Sequence, residues 1–216
     1  MSIKLGIYDF FAYIIPGGIV TAAILFVLIK HLGLVIDFGN LSIIEFVAFV
    51  TFAYLMGYTN DFIARKTWYK IFHRKNLFET TIADFNKRNH AIEVMLHEMD
   101  WYIPLSFIKK QNLDMAQDID KLNVQNIMLR NSSFGILIFA IIFGVEFFSS
   151  GSSPIYAIAS VFCLVVSVIL ARESIKFAAW FYTSIYQSLV ALLITPEQLP
   201  IKFISKTKLT KQKKKD

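Results

Sequence analysis

The longest apolar stretch of the chain, residues 132–171, carries one charge, Glu146, and one interruption, the Ser-, Gly- and Pro-rich run 149–154. A helix of about 20 apolar residues crosses about 30 Å of hydrocarbon, so each half with one more flanking turn is long enough. The interruption is typical of a turn, and its peptide groups would lack partners in lipid. The pattern therefore predicts a transmembrane hairpin whose turn lies in water.

A second apolar hairpin is predicted in residues 1–62. Its first span is expected to begin near Pro16, because proline is tolerated in the first turn of a helix and disrupts its interior. The residues before Pro16 then form a separate, short interfacial helix. The first span ends near Leu32, a connector rich in turn formers follows, and the second span covers residues 42–62.

Residues 63–130 differ from the spans, since they hold eleven Lys/Arg and eight Asp/Glu. Apolar residues recur there at helical spacing, which predicts a water-exposed helical insert. Pro104 is expected to end or kink its first helix, and a second helix is expected from about Leu113 into the third span. Two antiparallel helices of this kind would cover each other or a neighbouring subunit.

The basic residues orient these spans. With four spans and both termini inside, 21 of the 22 Lys/Arg fall on the inner side and Lys30 is the exception. Such a bias is typical of cytoplasmic loops. A fifth span over residues 174–194 would place the seven lysines of 202–215 outside. Residues 173–200 are therefore predicted to be a cytoplasmic or interfacial helix that continues the fourth span.

The predicted fold class is thus all-α, a four-helix transmembrane bundle with a helical cytoplasmic insert and a cytoplasmic C-terminal helix. The second hairpin covers residues 131–172 and a basic tail covers 201–216. The composition agrees, because 56% hydrophobic and 18% charged residues are unlike an ordinary soluble domain. The net charge of +6 is concentrated at the ends of apolar runs, which favours membrane topology over nucleic-acid binding. A single cysteine, Cys163, excludes an intrachain disulfide.

No catalytic signature is present, so the chain is not predicted to be an enzyme, and no metal or cofactor is expected. Neither a phosphate-binding Gly-rich loop, nor HExxH, nor GxSxG occurs, and no Arg and His have the spacing of an HEPN-type ribonuclease. His90, Glu93, His97 and Asp100 share one predicted helical face and are residue types that bind metal. We interpret them as a solvated polar face; the alternatives are a metal site or a pH-responsive face.

Two carboxylates lie in predicted spans, Glu45 and Glu146, each about one turn inside the outer end. A charge in lipid is unfavourable unless it faces water, a partner or the protein interior. One interpretation is a ring of carboxylates at the outer mouth of an oligomeric, cation-selective pore. The other is that both side chains reach the outer headgroups, one of them pairing with Lys30.

Basic residues and small residues suggest further contacts. The basic cluster after the second span and the lysine-rich tail would attract anionic inner-leaflet lipids, although topology alone explains the cluster. The tail is also the part that would touch RNA or an acidic partner, or it is simply solvated. Small residues four apart favour close helix packing in a compact bundle. The cluster comprises Arg65, Lys66, Lys70, Arg74 and Lys75, and the small pairs are Gly18/Ala22, Ala53/Gly57, Ala140/Gly144 and Ser167/Ala171.

The start of the chain, Tyr8-Asp9-Phe10-Phe11-Ala12-Tyr13-Ile14-Ile15-Pro16-Gly17, resembles the start of small multi-pass proteins of bacterial antiviral operons. The layout is similar to the membrane accessory proteins of type VI-B CRISPR loci, the membrane subunit of Kiwa and the four-span effectors of cyclic-nucleotide systems. The resemblance implies a non-enzymatic immune component of the bacterial inner membrane. It also makes Asp9 a candidate for pinning the first helix, through Arg65 or Lys66, against the plainer role of a helix cap.

We therefore expect a homo-oligomeric inner-membrane protein that couples a cytoplasmic signal or soluble protein partner to membrane permeability. The alternative is a non-conducting scaffold or sensor that recruits or restrains a soluble effector. A small transporter is the weaker third hypothesis, because the sequence shows no inverted repeat beyond the two hairpins.

Overall fold

A computed structural model of the chain shows helix as its regular secondary structure wherever it is described. Five helices of ten or more residues make up most of this part. The structure describes residues 3–35, 42–71, 80–81, 83–84, 87, 101–149 and 153–193. The helices are α1 (Ile3–Leu32), α2 (Ile43–Ile71), α3 (Tyr102–Gln111), α4 (Leu113–Ser149) and α5 (Pro154–Leu193).

Four of the helices, α1, α2, α4 and α5, are long and apolar enough to cross a membrane. The predicted all-α class with four membrane-spanning helices is therefore confirmed, and the chain is a membrane protein. At 1.5 Å per residue, the 37 residues of α4 and the 40 residues of α5 extend for about 55 and 60 Å. Both exceed the roughly 30 Å of a hydrocarbon core, so each helix continues well beyond its span.

The predicted helix break at Pro16 is wrong, because α1 runs without interruption from Ile3 to Leu32 with Pro16 inside it. Proline removes one backbone hydrogen bond and crowds the preceding turn, but packing can hold it in a helix. Pro16 is fully buried here, and Ala12, one turn earlier, is also buried. The burial of Pro16 and the small Ala12 side chain one turn before it explain why the sequence signal for a break fails.

The junction between α3 and α4 is a single residue, Asn112. Its backbone N–H donates to the Ile108 carbonyl oxygen (2.7 Å), and its side-chain Oδ1 accepts from the Met115 N–H (3.0 Å). Asn112 thus ends α3 and caps the start of α4, as asparagine commonly does. The predicted start of this helix at Leu113 and its continuation into the third span are confirmed. Pro104 does not end a helix, since it lies in the first turn of α3, where proline is tolerated.

The segment after the fourth span is part of α5. This helix runs unbroken to Leu193, so residues 174–193 continue the fourth span as predicted and form no separate fifth helix. Near its far end, α5 packs with α3 and the start of α4. Their cluster of buried apolar side chains, which we call the α3 cluster, consists of Leu105, Ile108, Ala116, Ile119, Phe181 and Ile185.

The helix α4 lies at the centre of the fold and contacts each of the other four helices. It is held to α5 through hydroxyl groups: Ser160 Oγ donates to the Ala140 carbonyl oxygen and Ser167 Oγ to the Ser133 carbonyl oxygen, both at 2.7 Å. Gly144 also faces Ser160 in this crossing. The predicted packing role of small residues therefore holds for this pair of helices.

The crossing of α1 and α2 is tighter still. A Cβ atom at Gly17 would overlap the Ala53 carbonyl oxygen, and one at Gly57 would overlap the Tyr13 carbonyl oxygen. The two backbones therefore touch directly, which only glycine permits. The predicted Ala53/Gly57 pair lies in this crossing, whereas Gly18 faces open space. Its neighbour Gly17 takes the role that the spacing assigned to Gly18.

Candidate functional site

One end of the bundle carries a charged cluster that joins three helices; we call this the Lys30 end. Glu146 of α4 is almost completely buried, with 3% of its side chain exposed, and forms an ion pair with Lys30 of α1. His31 Nε2 lies 2.5 Å from the other oxygen of the same carboxylate. The Lys30 ammonium also donates to the Tyr156 hydroxyl of α5 (3.2 Å) and lies 4.4 Å from the centre of that ring. One buried carboxylate therefore holds the ends of α1, α4 and α5 together.

This geometry explains the single basic residue that departs from the predicted charge distribution. Lys30 lies at the end of α1 next to His31, and its charge is balanced by Glu146. The pairing of an intramembrane carboxylate with Lys30, one of the two alternatives drawn from the sequence, is thus observed for Glu146. A buried charge without such a partner would cost several kcal/mol.

Glu45 has a different role from Glu146. It is exposed in the first turn of α2, and its Oε2 accepts hydrogen bonds from the backbone N–H and the hydroxyl of Ser42, both at 2.7 Å. Ser42 Oγ in turn accepts from the Glu45 N–H at 3.3 Å. This reciprocal pattern is a capping box, which satisfies the free N–H groups at a helix start. The hydrogen bonds described for Glu45 are local, and those of Glu146 join separate helices.

A second buried polar layer lies at the opposite end of the apolar section, which we call the Arg130 end. Arg130 Nη2 of α4 donates to Asp61 Oδ1 of α2 at 2.5 Å, and only 7% of the arginine side chain is exposed. One residue further along, Asn60 Nδ2 of α2 donates to the Asn131 carbonyl oxygen at 2.9 Å. Ser133 is fully buried in the next turn. This layer joins α4 to α2, whereas the Lys30 end joins α4 to α1.

The spacing of the two polar layers along α4 and α2 can be compared with the thickness of a hydrocarbon core. Arg130 and Glu146 are 16 residues apart on α4, which corresponds to about 24 Å along the helix axis. On α2, Asp61 and Glu45 are also 16 residues apart. The two separations on these antiparallel helices are therefore equal, and each is somewhat shorter than the roughly 30 Å of a hydrocarbon core.

The remaining predicted site residues are only partly described. Arg65, Lys66 and Lys70 are exposed on the last turns of α2, beyond the Arg130 end, and Lys66 Nζ lies 4.1 Å from the centre of the Phe62 ring. The backbone of Tyr8 and Asp9 lies in α1, Pro16 is buried within the same helix, and Gly17 lies at the α1–α2 crossing. The others lie outside the described residues: Arg74, Lys75, His90, Glu93, His97, Asp100 and the basic tail 201–216.

Two elements of these layers were not identified from the sequence, the Asp61–Arg130 pair and His31. A signal for the pair exists: one acidic residue near the end of the second span and one basic residue near the start of the third must lie at similar depth in antiparallel helices. Within the described ranges, no three His, Cys, Asp or Glu side chains come together as metal ligands would. The described side chains of the two layers join helices through ion pairs and hydrogen bonds.

Comparisons with protein-family models, with curated proteins and with solved structures find no match to this chain.

Proposed function

We propose that this protein is an inner-membrane component of a bacterial antiviral defence system that couples a cytoplasmic binding event to membrane permeability. One observation carries the proposal: α4 and α5 run unbroken from their spans into the helical unit closed by α3. The resemblance of the first residues to small membrane proteins of defence operons supports the biological setting.

The contacts of α3 couple this unit to both long helices. Leu105 and Ile108 of α3 pack among buried side chains of both α4 and α5 in the α3 cluster. Lys109 Nζ lies 2.9 Å from Asp120 Oδ2, which adds an ion pair between α3 and α4. Interiors that are packed in this way move as units and transmit displacement. A partner that shifts α3 would therefore shift the two long helices along with it.

Such a shift would act on the ion pairs of the two polar layers. Displacing α4 strains its ion pairs with Asp61 at one end and with Lys30 at the other. In the described conformation Glu146 is buried in its pair, so a ring of carboxylates at an outer pore mouth would require α1 to release it. We propose that the resting protein is closed and that release of Glu146, in a homo-oligomer, accompanies the permeable state. The mechanism needs neither catalysis nor a cofactor.

The proposed orientation places the Arg130 end, α3 and both termini in the cytoplasm. The exposed basic residues Arg65, Lys66 and Lys70 then face the inner leaflet, where anionic headgroups attract cations by about 1 kcal/mol per charge. A soluble protein partner would act on the unit formed by α3 and the adjoining insert. Nucleic acid would be reached only through the basic tail.

The experiment follows the membrane potential of cells that express the full chain with its neighbouring genes during phage infection. We expect depolarisation, and we expect the Ile108→Asp variant to lose it, because the charge would enter a fully buried position of the α3 cluster. Ile103→Asp is the matched control, since Ile103 is exposed on the same helix. An unchanged potential through a complete immune response would refute a role in permeability.

One observation favours a second candidate, a non-conducting scaffold or sensor. Glu146 is enclosed and ion-paired, so the described monomer presents no pair of open carboxylates to an aqueous path. In that case Glu45→Gln and Glu146→Gln would leave all ion fluxes at background. In the permeability proposal at least one of them changes ion selectivity.

A further inference from the structure

The polar layer at the Arg130 end contains more hydrogen-bonding groups than its described neighbours satisfy. The Asn131 side chain is completely buried, yet neither its Nδ2 nor its Oδ1 has a hydrogen-bond partner among the described residues. Arg130 Nε is likewise buried and without a partner in the described part of the chain. Two donors and one acceptor on adjacent residues are therefore unsatisfied in one layer of the bundle.

Unsatisfied groups of this kind are rare in proteins because each has lost its hydrogen bonds to water without replacement. The cost is larger where bulk water cannot reach the group, as at the completely buried Asn131 side chain. Leucine would fill the space of Asn131 without this cost. An asparagine with both polar atoms unpaired therefore indicates a bound polar molecule.

The chemistry of the layer selects the ligand. A cation would be repelled by the Arg130 guanidinium, and an anion such as a lipid phosphate would be repelled by the Asp61 carboxylate beside it. The complete burial of Asn131 also excludes a ligand the size of a headgroup. The ligand must be small, neutral, and able both to donate and to accept hydrogen bonds. Water has these properties, and buried waters typically make about three hydrogen bonds to such groups.

We propose that Asn131 and Arg130 Nε form a water-binding site within the bundle, next to the Asp61–Arg130 ion pair. Bound water satisfies the Asn131 amide and shares the guanidinium with Asp61. The α2–α4 contact is then hydrated, unlike the α4–α5 contact, where Ser160 and Ser167 donate directly to backbone carbonyl oxygens. The inference is independent of the proposed function, since a scaffold would hold the same water.

The test is a nuclear magnetic resonance experiment on the full-length wild-type protein in detergent micelles with selective asparagine, arginine and alanine labelling. We expect cross-peaks between water and both the Asn131 side-chain amide protons and the Arg130 Nε–H. The backbone amide of Ala140, buried in the apolar section of the same helix, is the dry control and should give none. Absence of a water cross-peak at both Asn131 and Arg130 would overturn the proposal.

A variant adds a second measurement. Asn131→Leu removes the amide but keeps a side chain of similar size, so the water cross-peak at Arg130 Nε–H should weaken at least twofold. An unchanged cross-peak at Arg130 would show that Asn131 does not hold the water and would refute the site as proposed. Should the variant not fold, the wild-type spectrum decides alone.

Discussion

The Asp61–Arg130 ion pair offers the sharpest energetic prediction, because its two partners differ in their access to water. The charged atoms lie 2.5 Å apart, and 7% of the Arg130 side chain and 18% of the Asp61 side chain are exposed. With an effective dielectric constant of 20, two unit charges whose centres lie about 4 Å apart attract by about 4 kcal/mol. Desolvation offsets much of this attraction, and breaking a buried pair by removing one partner costs about 3–5 kcal/mol.

The two single substitutions should therefore differ. Asp61→Asn leaves the more deeply buried Arg130 charge without a counterion, so we expect it to lower the free energy of unfolding by about 3–5 kcal/mol. Arg130→Met leaves the Asp61 carboxylate, which reaches water more easily, and we expect a smaller loss of about 2–3 kcal/mol. The double variant Asp61→Asn/Arg130→Met removes both charges and should lie within about 1 kcal/mol of the wild type.

The assay is a double-mutant cycle on the purified full-length protein in one detergent, with unfolding followed by helix content. Strong non-additivity is expected because the two side chains are in direct contact. Additive effects, or two single variants each within about 0.5 kcal/mol of the wild type, would show that the pair does not hold α2 to α4.

Three further variants test other contacts in the bundle. Gly57→Ala should destabilise the α1–α2 crossing by about 1–3 kcal/mol, because the added methyl group overlaps the facing backbone. Gly18→Ala should be neutral or slightly stabilising, because Gly18 faces open space. Equal melting temperatures for the two variants would contradict this account of the crossing. Glu45→Gln should shift the melting temperature little, since glutamine also completes a capping box. Glu146→Gln should lower the melting temperature markedly, because it leaves the Lys30 ammonium without its counterion. Ile108→Ala should lower the free energy of unfolding by about 2–5 kcal/mol by opening a cavity in the α3 cluster, measurable by denaturant titration.

Hydrophobic pattern and charge placement were sufficient to predict the all-α class and its four long apolar helices. The length of the apolar runs determines how many helices can cross a membrane. The change in composition after the second predicted span marks where that apolar run ends. The start of α4 at Leu113 follows from the asparagine that precedes it. The continuation of α5 to Leu193 agrees with the lysines that follow, which disfavour another crossing.

Contacts between helices could not be predicted with the same certainty, because spacing along a helix does not give its rotation about its axis. Spacing alone could not distinguish Gly17 from Gly18, which differ by 100° in direction on an α-helix. Nor could it show that His31 joins Lys30 at Glu146, which depends on how α1 packs on α4. Pro16 remained inside a helix because tertiary packing outweighed a local preference.

The central claim is that α3 and the extended ends of α4 and α5 lie in the cytoplasm, on the opposite side of the membrane from the Lys30 end. Since Cys163 is the only cysteine, Cys163→Ser provides a background for single-cysteine probes. Leu113 and Leu32 are both exposed, at 54% and 75%, and mark the two sides. In intact cells a membrane-impermeant maleimide that has crossed only the outer membrane should label L32C and spare L113C, which should react only after the inner membrane is permeabilised. Labelling of L113C in intact cells would contradict the account.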